Sequence, residues 1–166
     1  MRIRERMIKN VATCRPGNNL AEVAAIMWME RCGALPVVDE QGHVVSIITD
    51  RDVCIALGTR NLLASEVLVQ DVVPPRVFTC LDRDELSHAL SIMVAQNVRR
   101  LPVVTDEGIL VGILSIDDFL LHTEPGKAGV LSLEALEAVK TIVENRQRGH
   151  VHEPAEVVPA KSVGHS

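Results

Sequence analysis

Read for its alternation of apolar and polar positions, the chain falls into two copies of one pattern. A short strand is expected from Val11 to Cys14, followed by polar turn residues and an apolar-periodic helix from about Leu20 to Arg31, which Asn18 or Asn19 can cap. Two β-rich runs follow, "ALPVV" and "VVSIIT", separated by "DEQG", whose Gly42 suits a hairpin turn with positive φ. The second run feeds a helix that starts near Asp50 and ends by Gly58, a residue type favoured just past helix ends.

From Val77 the same order returns. Residues 11–53 lie over residues 77–119 without a gap, at a constant offset of 66 positions. Thr13 meets Thr79, Cys14 meets Cys80, "LPVV" recurs at Leu35 and Leu101, Gly42 meets Gly108 and Asp52 meets Asp118. Each unit reads β-α-β-β-α, a mixed α/β (α+β) arrangement. At roughly sixty residues it buries too little surface to stand comfortably alone, so the two units are expected to pack sheet to sheet into one body. Residues 1–64 then form the first repeat and 65–124 the second. Residues 125–149 form a C-terminal amphipathic helix, with Leu133, Leu136, Val139, Ile142 and Val143 as a stripe that covers either the chain's own core or a partner. Residues 150–166 lose periodicity and are expected to be disordered.

Composition narrows the function. With 47% hydrophobic residues the chain can bury a core without metal or disulfide staples, but no Tyr, two Phe and one Trp leave no aromatic platform for stacking bases. A net charge of −5 argues against a nucleic-acid backbone as the main partner. The sequence has no run of about 18 apolar residues to cross a membrane, and "MRIRERMIKN" leads into no signal-peptide core, so a cytoplasmic location is expected. Cys14, Cys32, Cys54 and Cys80 form no CxxC pair and are read as small buried thiols. His150 and His152 are too sparse for a metal site, "GKAG" at Gly126 lacks the rest of a phosphate loop, and His43, His88 and His122 have no patterned Ser or Cys partner. Met27, Met29 and Met93 are read as core packing, and Trp28 beside them as a dimer face.

Two stretches carry candidate chemistry: "IITDRD", with Thr49 and Asp52, and "GILSIDD", with Ser115 and Asp118. Hydroxyl-x-x-carboxylate at the start of a helix is a capping box, in which each side chain bonds the other's backbone N–H. It is also a grip for a ribose phosphate: helix N-termini favour phosphate, and a carboxylate accepts two hydrogen bonds from vicinal hydroxyls. The two readings do not compete. Arg99 and Arg100 stand together in an acidic protein, either to reach phosphate with a guanidinium fork or to point to solvent and pair with acids such as Asp117 or Glu107.

The tandem β-α-β-β-α units, "ALPVVDEQG" in the first hairpin and the strand ending in hydroxyl-x-x-Asp resemble the CBS domain, over about residues 7–122. The resemblance implies a pseudo-two-fold pair of repeats that commonly assembles with a second pair, and adenosine ligands such as AMP, ADP, ATP, NAD or S-adenosylmethionine. No cofactor is required. The ligands lie in clefts shared between the repeats. One cleft would comprise Ser115 and Asp118 with Cys32, Gly33, Ala34 and the backbone near Ile8 and Lys9. The other would set Thr49 and Asp52 against Val98, Arg99 and Arg100. "GILSIDD" keeps the family's glycine at Gly112, whereas Ser46 stands in its place in the first repeat, so the Asp118 cleft is the stronger candidate. The expectation is a regulatory binding module rather than an enzyme, dimerising through its helices. The alternative is a ligand-free interaction module that regulates a partner enzyme or transporter.

Overall fold

The computed structural model describes residues 1–121 and 130–149. The expectations for Gly126, His122, His150, His152 and the tail 150–166 lie outside these.

The first repeat contains helix α1 (Leu20–Met29), strands β1 (Ala34–Val38) and β2 (Val44–Thr49), and helix α2 (Asp50–Arg60). The second contains β3 (Cys80–Leu81), α3 (Leu86–Gln96), β4 (Arg100–Val104), β5 (Leu110–Ser115) and α4 (Ile116–Leu121), and α5 (Val130–Gly149) follows. Asn19 caps α1 by accepting from the Glu22 N–H, and Glu22 accepts in return from the Asn19 N–H and the Asn18 side chain. Together these bonds hold the Glu22 carboxyl below its ordinary pKa, the Asn18 bond contributing most.

The two hairpins match bond for bond. Ala34 pairs with Thr49 and Arg100 with Ser115, and each ladder shifts register at the same place, Val37/Val38 and Val103/Val104. Gly42 and Gly108 hold φ of +88° and +83°, as their turns demand. The strand expected at Val11–Cys14 is reduced to a parallel bridge from Cys14 to Val37, while its counterpart β3 pairs with β4. The two turns bond to each other: the Val44 N–H donates to the Gly108 carbonyl at 3.2 Å and the Leu110 N–H to the Gly42 carbonyl at 3.0 Å, one bond written twice with the repeats exchanged. This is the pseudo-two-fold relationship in hydrogen bonds.

Each repeat has its own aliphatic core, and the buried positions correspond: Cys14 and Cys80, Leu20 and Leu86, Val23 and Ala89, Met27 and Met93, Leu35 and Leu101, Ile48 and Leu114. One pair is crossed. Ile3, at the start of the first repeat, is buried in the second repeat's core, and Val69, its equivalent, is buried in the first's. The bonds that seat these leading segments are exchanged in the same way: Ile3 N–H to Asp84 carbonyl and Val69 N–H to Asn18 carbonyl, both at 2.9 Å. Each repeat therefore begins with a strap that completes its neighbour.

Four further expectations change. Of the cysteines read as buried thiols, Cys14 and Cys80 are buried, but Cys32 is half-buried and Cys54 is exposed on α2. Helix α2 runs through Gly58 to Arg60 and ends on Asn61, whose φ of +51° supplies the left-handed cap instead. Asparagine takes this conformation by bonding locally, and Gly58 inside the helix is tolerated. The α5 stripe is split: Ala138 and Ile142 are buried against the second core with Val139 beside them, whereas Leu133, Leu136 and Val143 are exposed. A helix packed on α3 and α4 along one narrow line buries only the residues on that line. Met29 is 69% exposed and not in the core, because α1 ends there and the chain turns away.

Candidate functional site

Beneath the Ile8–Ala12 strap lies a cavity of about 390 Å³ that belongs to both repeats. The strap is fixed by reciprocal bonds between Ile8 and Ile113, at 2.9 and 3.0 Å. Asn10 turns it with φ of +55°. The first repeat contributes Glu30, Arg31, Cys32, Gly33 and Ala34, and the second contributes Arg100, Ile113 and Ser115. A Cβ on Gly33 would stand 3.0 Å from a carboxylate oxygen of the exposed Asp50 side chain, and the Asp50 N–H donates to the Gly33 carbonyl.

Ser115 is on the wall, and Asp118 stands behind it, 7% exposed. One Asp118 oxygen accepts from the Ser115 N–H at 2.6 Å and from its hydroxyl at 2.8 Å. Thr49 and Asp52 repeat this arrangement at 2.8 and 2.6 Å, and the Asp52 N–H donates back to the Thr49 hydroxyl at 3.3 Å. In both motifs the carboxylate accepts from the N–H and the hydroxyl of the residue three positions before it, and only the second places its hydroxyl residue, Ser115, on this cavity.

The other predicted residues divide. Cys32, Gly33, Ala34 and Ile8 line the cavity, but Lys9 lines a neighbouring hollow with Thr13, Gly42 and Leu110. Arg99 and Arg100 part company. Arg99 lies 3.4 Å from Asp117 on the surface, both side chains about half exposed, a pair worth less than about 1 kcal/mol. Arg100, expected beside Thr49 and Asp52, instead lines the Ser115 cavity, because it is the direct cross-strand partner of Ser115 and shares that face of the sheet. Val98 packs partly buried against the second core. Sequence reasoning missed Asn10, Glu30 and Arg31. Arg31 has a signal in the repeat: it aligns with Asn97, a left-handed residue just past α3, and shares its conformation with φ of +51° against +54°.

Among the described residues no group of three or more His, Cys, Asp or Glu side chains is placed to hold a metal ion, and no helix is long and apolar enough to cross a membrane.

Comparison with known proteins agrees with this architecture. The family model described as the CBS domain matches residues 3–59 and 69–123. Inosine-5'-monophosphate dehydrogenase of Methanocaldococcus jannaschii is 38% identical over 117 residues, which is 70% of this chain and 22% of the dehydrogenase. The chain spans between 21% and 59% of the length of the curated relatives that head the comparison. The CBS domain pair of protein MJ0100, solved in complex with 5-methylthioadenosine and S-adenosyl-L-methionine, superposes with a TM-score of 0.65 at 26% identity, covering 71% of this chain and 91% of that one. The CBS domain protein PAE2072 from Pyrobaculum aerophilum, complexed with AMP, gives 0.68 at 23% identity over 84% of this chain and 99% of that one, a likeness of fold.

Proposed function

This chain belongs to the CBS-domain family, and from that premise we propose that it is a regulatory module of the cytoplasm that senses an adenine nucleotide, of the AMP, ADP or ATP class, in the cavity between its repeats. One observation carries the reading: a single cavity brings together small residues, a hydroxyl held by a carboxylate, and guanidinium groups. Gly33 and Ala34 leave room for a flat base, Ser115 and Asp118 suit the ribose hydroxyls, and Arg100 with Arg31 suits phosphate. The adenosine ligands of MJ0100 and PAE2072 support the choice of ligand class. Because the cavity spans both repeats, a ligand that fits one arrangement of them better shifts the population toward it, and a partner protein that distinguishes the arrangements receives the signal. On this reading the module binds its ligand and does not turn it over.

Isothermal titration with AMP, ADP, ATP, NAD and S-adenosylmethionine tests this. One adenine nucleotide binding with defined stoichiometry is the expected result, and silence with every ligand defeats it. The second reading, a ligand-free interaction module, is favoured by the exposure of Trp28, at 85%, beside Met29. The same surface serves a homodimer in the first reading, so dimerisation alone does not separate the two.

A further inference from the structure

Residues of both charge signs line the cavity: Arg31 and Arg100 are cationic and Glu30 is anionic, and all three are exposed. Glu30 is the C-cap of α1 and Arg31 follows it in the left-handed conformation, while the Cys32 N–H returns to the Met27 carbonyl at 3.0 Å and fixes the bend. Glu30 and Arg31 therefore leave one rigid turn as neighbours. From this placement we infer that Glu30 is a specificity-determining residue that limits the length of the ligand's phosphate chain, selecting a nucleoside monophosphate over its di- and triphosphate. The inference rests on the reading that the cavity holds an adenine nucleotide.

Charge is the first argument. A phosphate monoester carries roughly two negative charges near neutral pH, which the two guanidinium groups match. Each further phosphate adds negative charge to a wall that, among the described residues, has no third cation and has Glu30 instead. Of the other cations close by in the chain, Lys9 lines the neighbouring hollow and Arg99 faces Asp117 on the surface. Volume is the second argument. At about 390 Å³ the cavity is near the lower end of the roughly 300–1,000 Å³ usual for small-molecule sites.

The test is calorimetry in magnesium-free buffer with AMP, ADP and ATP, on the wild-type chain and on Glu30→Gln, with melting temperatures to establish that both are folded. The wild type is expected to bind AMP more tightly than ATP. Removing the carboxylate is expected to narrow that ratio by about five- to tenfold, through a gain for ATP with AMP changed less than about twofold. High salt should shrink the gain. An AMP-to-ATP ratio that the substitution leaves unchanged overturns the inference while the nucleotide site stands. If none of the three nucleotides binds the wild type, the site reading falls and this inference with it.

Discussion

Ser46 and Gly112 occupy the same position in the two hairpins and meet the incoming strap in opposite ways. The Ser46 hydroxyl donates to the Pro74 carbonyl at 2.9 Å, whereas a Cβ on Gly112 would lie 2.7 Å from the Ile8 carbonyl oxygen and 2.8 Å from the Met7 sulfur. Pro74 has no N–H with which to join a ladder, so the second repeat's strap is held by a side chain where the first repeat's strap is held by the Ile8–Ile113 backbone pair.

The first prediction follows directly. Gly112→Ala must displace the strap, and it should lower stability by about 2–3 kcal/mol in urea unfolding. Ser46→Ala leaves the Pro74 carbonyl without its donor and should cost about 1–2 kcal/mol. Equal stability of Gly112→Ala and the wild type would mean that the strap does not lie against β5.

Asp118 and Asp52 make the same cap bonds, so alanine at either should cost a similar, modest amount of stability, about 1 kcal/mol. Their effects on binding should differ. Asp118→Ala is expected to abolish ribonucleotide binding, and Asp52→Ala to change affinity less than about threefold, since the Ser115 hydroxyl and not that of Thr49 is on the cavity wall. Calorimetry on the folded fraction decides, and an Asp118→Ala protein that binds normally would leave the carboxylate only its bonds to Ser115.

The two adjacent arginines give a sharper contrast. Arg100→Gln should weaken nucleotide binding by about tenfold or more, the scale of one charge-assisted contact, while Arg99→Gln removes only a surface pair with Asp117. If Arg99→Gln proves the more damaging, the cavity on the Ser115 side is not the site.

The buried thiols make stability fall in alkali. Burial pushes the Cys14 thiol up to about 11, and burial with the Asp84 charge pushes Cys80 up to about 12, from an ordinary 9.0. In the unfolded chain they ionise near 9, in the folded chain only well above it. Their contribution is therefore complete below pH 9 and is lost as pH rises from 9 through 11 to 12. Unfolding free energies across this range should decline, and Cys14→Ala with Cys80→Ala should flatten the decline. In the native state a thiol reagent should modify exposed Cys54 first and these two last.

The duplication was readable because it is written in side chains. Apolar periodicity, two hairpin glycines and two hydroxyl-x-x-Asp motifs at one offset are enough to place the helices, the hairpins and both caps. What the repeat does not encode is which core a segment joins. The offset shows that Ile3 and Val69 are equivalent, yet nothing in either residue says that it packs into the other repeat. The same gap explains the site. The family resemblance sets Arg100 on the Asp52 side, but its cross-strand pairing with Ser115 puts it on the other. Arg31 and Glu30 escaped notice because a left-handed arginine carries no compositional signal, whereas Asn61 and Asn97 carry one that was outweighed, at Asn61, by a nearby glycine.

The exchanged straps also set an order of assembly. Ile3 is bonded to Asp84, and Ile8 to Ile113, so residues at the very start of the described chain find their places only after segments some eighty to a hundred positions later exist. Such long-range closure is slow relative to local helix formation. During synthesis the opening residues must wait, and the cavity cannot form until Ser115 has emerged: competence to sense a ligand arrives in one step, near the end of translation of the second repeat, and not gradually as each half is made.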